Sequence, residues 1–556
     1  MELYTRSPTP GPSSAVFLSV RVHNVFFSEL RFSRYTISEM NPRRQILRSS
    51  IVVAFFNLLG GLTGILVETS IAANLGLSDR SDAFYVAYTI PYIITNLLTA
   101  TGQFSLVPFF ASLESTQDGK EVWHGFSYVA NILFLGLGAI SVVGVVAAPW
   151  IIHGIAPGFT RPEVAVAARL SRWLFLILIP AGIGEVLRSF LLSRHYFALS
   201  AASGFIRNVS CIAFILLGFH RFGAYSIVIG YMVGYLLQLL ILGIPVWVVF
   251  PVRYSLTLTA RGESFRNLRS AGTAQLTVAV AWQGVVVAER IIASFLPAGT
   301  ITALNYGFKI QGAITEFLGG SVGTAALPAL SRAVARKDHE GERATFRETL
   351  RIILVLLSPM AVFCLMLNHS IIRLFFQRGN FTPEATRLMA MILFYYSLSL
   401  LPYAFIRILS FYMFARHEGG FFLRLALFFY GLNVGFDLLY TAVIHLGAKG
   451  IPLGLLSSAL VTVWGAYCRN LCGLRDILDR SLAIFSSKVL LGALNCAMVV
   501  WVMRLAVPRP SGGLGDFVYL CLLCGGGSVV FLGVLVASRA IPLAQLREVW
   551  HSAGDA

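Results

Sequence analysis

Charge is what this chain has least of. Of its 556 residues only 12% are Asp, Glu, Lys or Arg, where a soluble domain carries about 25%. Acid is the scarcer sign, with 26 acidic residues against 43 basic ones and a formal net charge of +17. So low a charge content excludes an ordinary soluble fold. The sequence also lacks a Walker A pattern, an HExxH motif and any acidic loop cluster fit to hold magnesium against a diphosphate, so it gives no sign of an enzyme or of a cofactor. Cysteine is sparse and badly placed for disulfides. Cys211, Cys364, Cys468, Cys472, Cys496, Cys521 and Cys524 lie in or beside apolar runs. The Cys521-x-x-Cys524 pair has no nearby His or acid, so small residues for helix packing are the better reading than a metal or redox site.

What is present is hydrophobic length. Apolar residues make up 56% of the chain and the mean hydropathy is +0.75. The charges gather into clusters separated by runs long enough to cross a hydrocarbon core, which takes about 20 helical residues. Backbone groups in that core must pair internally, and runs this long exclude a barrel of short alternating strands. The sequence therefore predicts an all-α polytopic membrane protein of about fourteen spans. They fall near 49–74, 82–110, 124–152, 165–193, 200–219, 223–250, 268–296, 300–330, 350–376, 385–414, 422–444, 450–468, 485–507 and 515–538.

The largest basic clusters fix the expected orientation. They are Arg253 to Arg269, Arg332 to Arg351 and Arg469 to Lys488. All three fall on the side of the N-terminus, so the positive-inside rule puts both ends in the cytoplasm. Mapped this way, the +17 charge is a topology signal and does not indicate nucleic-acid binding. Residues 1–45 carry Pro8, Pro10, Pro12 and several Arg without an uninterrupted apolar core. They read as a disordered basic cytoplasmic tail and make a poor signal peptide. Met40-Asn41-Pro42-Arg43-Arg44 offers an alternative start.

The chain also repeats itself. Ala83, Ile90, Ile94-Thr95, Leu98 and Pro108 recur 220 residues later as Ala303, Ile310, Ile314-Thr315, Leu318 and Pro328. Phe159-Thr160-x-Pro162-Glu163 returns as Phe381-Thr382-Pro383-Glu384, Pro180 as Pro402, and Arg194-His195 as Arg416-His417. A duplicated six-span unit gives two lobes of the same orientation, 46–250 and 268–470. They are joined by a cytoplasmic linker at 251–267 and followed by two extra helices and a tail at 471–556. Two such lobes can rock about a shared cavity, an architecture that favours a transporter.

Charges inside spans are expensive and mark protein-facing or wet positions. Here they are Glu68, Glu185, Arg188, Arg207, Glu289, Arg290, Lys309, Glu316, Arg407 and Asp437. Glu185 and Arg188 are three apart on one helical face, and a structural salt bridge is favoured over substrate contact. Adjacent Glu289 and Arg290 point in different directions, so one can face a cavity while the other braces a neighbour. Lys309 lies near an outer helix end, where snorkelling competes with cavity lining. Arg407 lies deeper. Gly60-Gly61, Gly64, Pro91, Gly102, Pro108, Gly319-Gly320, Gly323 and Pro328 allow close packing and bends.

Several motifs resemble the MurJ (MviN) family of lipid II flippases, within the multidrug/oligosaccharidyl-lipid/polysaccharide exporter superfamily. They are Ala147-Ala148-Pro149-Trp150, Asp82-Ala83-Phe84, Gly102-x-Phe104-Ser105-x-Val107-Pro108, Ala293-Ser294-Phe295-Leu296-x-x-Gly299, Leu327-Pro328-x-Leu330-Ser331 and Phe375-x-x-x-Gly379-x-Phe381-Thr382. The resemblance implies two six-helix lobes plus two C-terminal helices, and a cationic cavity for the diphosphate and sugar of lipid II. It also implies a monomer in the bacterial inner membrane that feeds peptidoglycan synthesis, with no nucleic-acid partner. By the same resemblance Lys309 stands at the helix 8 arginine, Glu289-Arg290 at the acidic-Arg pair of helix 7, and Asp82 at the acid opening helix 2. Glu68 lies in helix 1, which lacks both family arginines, and the helix 2 arginine falls on or near Asn96. The expected substrate-binding set is thus Lys309, Arg290, Arg407, Asn96, Glu289, Glu68 and Asp82. The departures leave open a divergent paralogue exporting another lipid-linked polysaccharide or a cationic drug. A membrane glycosyl- or phosphotransferase would need acidic cytoplasmic loops, and those at 251–267 and 331–349 are mainly basic.

Overall fold

The structure is a computed structural model that describes residues 42–115, 119–259, 265, 268, 273–416, 418–508 and 512–540. Of the expected tail at 1–45, residues 1–41 lie outside the described residues and 42–45 begin the first helix; Arg261 and Arg266 of the linker, Arg269, and the C-terminal tail beyond residue 540 also lie outside them. Among the described residues there is no strand. The first six helices are α1 (Pro42–Leu75), α2 (Asp79–Glu114), α3 (Gly119–Ile155), α4 (Arg161–Ser193), α5 (Phe197–Phe222) and α6 (Tyr225–Val249). Then follow α7 (Thr273–Ala293), α8 (Thr300–Ala335), α9 (His339–Phe376) and α10 (Pro383–Leu398 with Leu400–Ala415). The last four are α11 (Gly419–Leu438), α12 (Gly450–Cys468), α13 (Arg480–Ala506) and α14 (Gly513–Ala537). Thirteen of these helices are long and apolar enough to cross a bilayer, and the bent α10 makes a fourteenth. Each coincides with one of the apolar runs.

The breaks have local causes. Helix α4 interrupts at Leu176–Ile177 and α10 bends by 49° at Ser399. In each, a proline follows three residues later, Pro180 or Pro402. The ring lacks an N–H and crowds the carbonyl four residues back, at Leu176 or Leu398. The Phe-Thr-x-Pro-Glu and Phe-Thr-Pro-Glu motifs are helix starts. Thr160 and Glu163 form a capping box, and Thr382 accepts from the Ala385 N–H at 3.2 Å.

Helices α1 to α6 pack chiefly on one another, through α1 with α5, α2 and α3 with α4, and α5 with α6. The second half does likewise through α7 with α11, α8 with α9 and α10, and α11 with α12, while α13 and α14 lean on α9. Helices α2 and α8 each widen by a π turn, at Gly102–Leu106 and Thr315–Gly320. Such turns mark places where the ladder is displaced, often at functional sites. A Cβ on Gly102 would lie 1.8 Å from Glu185 Oε1, so the missing side chain makes room for the Glu185–Arg188 ion pair. That pair is 2.6 Å long and joins residues of one helix face, the structural role expected of it.

Candidate functional site

The two halves meet where α8 begins. Gly299 enters α8 in the left-handed region (φ 83°), and its unpaired N-terminal donors need an acceptor. The acceptor comes from the other half. Asp82, in the first turn of α2, accepts from the Gly299 N–H at 2.7 Å, the Thr302 N–H at 2.8 Å and the Thr302 hydroxyl at 2.6 Å. Three donors converging on one carboxylate cap α8 with a negative charge at its positive end. Nearby, the Gly158 N–H donates to Ser294 Oγ at 3.1 Å. Asn380 donates through its backbone to Ala73 O and through its side chain to Asn74 O, both at 2.7 Å. Gly379 (φ 57°) brings this loop in so closely that a Cβ would lie 2.3 Å from Ala73 O. The halves are shut against each other at this end.

Immediately beneath lies a polar knot. Tyr85 donates to Glu68 Oε2 at 2.5 Å and to the Tyr306 hydroxyl at 3.1 Å. Lys309 of α8 forms an ion pair with Glu68 of α1, and its ammonium sits 5.8 Å from the centre of the Tyr85 ring. Below this knot a cavity of about 140 Å³ opens between α2, α7 and α8. Tyr85, Tyr88, Tyr92 and Asn96 line it from α2, Gln283, Glu289 and Arg290 from α7, and Asn305 and Lys309 from α8. The Arg290 guanidinium reaches across to α8, donating to Ile301 O at 3.0 Å and Asn305 Oδ1 at 2.9 Å. Arg290 Nε, Asn305 Nδ2 and Gln283 Oε1 have no protein hydrogen-bond partner.

Lys309 and Glu68 also border a second space, a groove of about 750 Å³. Its walls are apolar, with Ile65 from α1, Phe363 and Phe375 from α9, and Phe517 and Leu520 from α14. The ion pair therefore stands where a polar cavity meets an apolar, lipid-side groove.

The structure gathers Glu68, Asn96, Glu289, Arg290 and Lys309 in one place. Glu289 and Arg290 both line the cavity, although they are adjacent in sequence, and Arg290 braces α8 as well. Lys309 points into protein and not outward along the helix. Asp82 lies above the cavity and serves closure. Arg407 lies apart, paired at 2.6 Å with Glu316 in the π turn of α8, with 40% of its side chain exposed. The tyrosines and Asn305 carry no charge, and the sequence reading passed over them. Their signal was spacing: residues 85, 88, 92 and 96 fall on one helical stripe. Asp437 is buried on α11, 3.5 Å from Asn433, and stands outside the cavity lining.

The chain and its fold match known proteins. The family profile described as lipid II flippase MurJ matches residues 71–522. A probable lipid II flippase MurJ of Buchnera aphidicola subsp. Baizongia pistaciae is 27% identical over 375 residues, covering 66% of this chain and 72% of that protein. The lipid II flippase MurJ of Burkholderia cenocepacia is 27% identical over 387 residues, covering 67% of this chain and 74% of its own. Among solved structures, a lipid II flippase MurJ in an inward closed conformation superposes with a TM-score of 0.72. The match has 19% identity and covers 89% of this chain and 100% of that one.

Proposed function

Because the chain belongs to the MurJ family of lipid II flippases, we propose that it carries lipid II across the bacterial inner membrane for peptidoglycan synthesis. The observation that carries this reading is the position of Lys309, shared by the polar cavity and the apolar groove. A polyprenyl-diphosphate saccharide has the same division of chemistry. Its sugars suit the hydrogen-bonding wall of Asn96, Gln283 and Asn305, its prenyl chain suits the groove, and its diphosphate falls at Arg290 and Lys309. Arginine offers a bidentate fork to phosphate and lysine a point charge.

The cavity is far smaller than the 300–1,000 Å³ typical of pockets for drug-sized ligands. The present state is thus closed around its site, and cargo enters when the halves part. The cavity lining holds one acid, Glu289, against two bases, Arg290 and Lys309, and Glu68 pairs with Lys309 from the groove beside it. Acid does not exceed base, so export of a cationic drug gains no support.

The orientation follows from the ends of α8 and α9. Arg332, Arg336, Arg343, Arg347 and Arg351 lie away from the Asp82 closure, three of them held by Asp476, Asp479 and Ser481. The positive-inside rule makes that end cytoplasmic and the closed end periplasmic. A reporter fused after residue 340 should report cytoplasm, and a periplasmic signal there would reverse the assignment. Function is tested by complementation. Cells depleted of their own lipid II flippase should grow and translocate headgroup when they express this chain. Lysis despite full-length protein in the membrane would refute the proposal.

A further inference from the structure

On the closed side the protein has a basic groove that shares no lining residue with the cavity or the apolar groove. It lies between the end of α3 and the start of α4, with a volume of about 720 Å³. Arg161, Arg169 and Arg172 line it from one face of α4, and His153 faces them from α3. All four are exposed. Among the described residues none of the three arginines forms an ion pair, and the side-chain contact recorded for them is Arg169 Nε to Ala165 O at 3.3 Å, within the helix. Glu163, on the same helix turn as Arg161, accepts from the backbone and hydroxyl of Thr160 at 2.6 and 2.7 Å.

The depth of the groove is set by tryptophan. Trp150 of α3 and Trp173 of α4 are 73% and 52% exposed and stand beside Pro149 and Arg172, which line the groove. Exposed tryptophans are enriched at the membrane–water boundary. The last groove arginine, Arg172, directly precedes Trp173 in α4, so Arg161 to Arg172 lie on the headgroup side of that boundary. The wall is not wholly polar, since Phe159 and Val164 also line it.

The second half treats the related position differently. Arg373, 220 residues beyond His153, forms an ion pair with Asp516 of α14 at 3.3 Å. The first half has no counterpart of α14, and among the described residues Arg161, Arg169 and Arg172 of the groove form no ion pair.

We propose that this groove binds the phosphate of an anionic phospholipid in the leaflet at the closed end of the protein. Unpaired guanidinium groups at headgroup depth, backed by apolar side chains, match a phosphodiester with its acyl chains below. The leaflet is the outer one on the orientation argued above, and the site itself does not depend on that orientation.

The test uses the purified full chain and native mass spectrometry, with phosphatidylglycerol, phosphatidylcholine and inorganic phosphate as probes. The parent should retain phosphatidylglycerol over phosphatidylcholine. Arg169→Gln with Arg172→Gln should cut that retention by about tenfold or more, as expected for lost charge-assisted contacts. Arg332→Gln with Arg336→Gln, at the opposite end, should leave it unchanged, and Arg169→Lys with Arg172→Lys should restore part of it. Should the glutamine pair fail to fold, His153→Gln with Arg161→Gln removes two exposed groups from the same groove and should give the same loss. Equal retention of both lipids by the parent, or unchanged retention in both glutamine pairs, would overturn the proposal. Displacement of the lipid by inorganic phosphate would overturn the lipid assignment in favour of free phosphate. Binding is read without flux, so failure here is separable from failure of the transport reading.

Discussion

Asp82→Asn is the most direct perturbation of the closed state. The carboxylate accepts three hydrogen bonds across the interface between the halves, two on Oδ1 and one on Oδ2. An asparagine can keep its oxygen toward the Thr302 N–H and hydroxyl. Its amide then turns N–H toward the Gly299 N–H, and that contact is lost. Hydrogen bonds to charged groups contribute about 1.5–3 kcal/mol and neutral ones about 0.5–1.5 kcal/mol. Losing one and weakening two comes to about 3–5 kcal/mol. If the partners are solvated once the halves part, the open-to-closed ratio rises roughly a hundred- to several-thousandfold. Leu77 reports on this, because it packs against Gly299 at the closure. Leu77→Cys should react slowly with a membrane-impermeant maleimide in intact cells. Adding Asp82→Asn should accelerate labelling by at least about a hundredfold unless the open state already dominates. Thr302→Val removes one of the three contacts and should give roughly a ten- to hundredfold rise. Labelling of the Asp82→Asn chain at the parent rate would refute the idea that this carboxylate holds the halves shut.

Arg290→Ala and Lys309→Ala should each weaken handling of a diphosphate cargo about ten- to a hundredfold while the protein still inserts. Headgroup translocation in cells checks this. Lys309→Arg should be tolerated, and Arg407→Ala, outside the cavity lining, should have a much smaller effect. Glu185→Ala should destabilise the first half by about 3 kcal/mol, because it strands Arg188 beside the π turn of α2. The melting temperature in detergent should fall, and Glu185→Ala with Arg188→Met should recover part of the loss. Gly379→Ala should open the closed end without touching any charge, since φ is 57° and the new methyl would meet Ala73 O. It should raise Leu77→Cys labelling, whereas Gly61→Ala, with nothing within 4 Å, should not.

The fold was legible because its signals are local. Hydrocarbon thickness sets the length of each run, and Pro180 and Pro402 break their helices through their own rings. The cost of charge in lipid singled out Glu68, Glu289, Arg290 and Lys309 along with other in-span charges, and only the family resemblance grouped them as one site. Function by contact across the chain was not legible. Asp82 looked like a cavity acid, and only its partners 217 and 220 residues away show that it caps α8. Arg407 looked deep, and nothing in the local sequence paired it with Glu316, 91 residues earlier. The tyrosine stripe of α2 went unread because aromatic residues at helical spacing are ordinary in any membrane helix.

The pairing of Lys309 with Glu68 governs how the cavity charges act. Lys309 is bound to Glu68 in the closed state, so a diphosphate that reaches it competes with a carboxylate already in place. That ion pair is also a tie between α1 of one half and α8 of the other. A cargo that takes Lys309 from Glu68 therefore weakens a contact between the halves as it binds. A ligand shifts a two-state equilibrium by its differential affinity for the two states and by nothing else. Competition for Lys309 supplies such a difference, because the full contact with the ammonium is available only where Glu68 has withdrawn. In a site built of unpaired arginines the anion would bind whichever way the halves were set. With one lysine held by one glutamate, binding and the release of an inter-half contact become the same event.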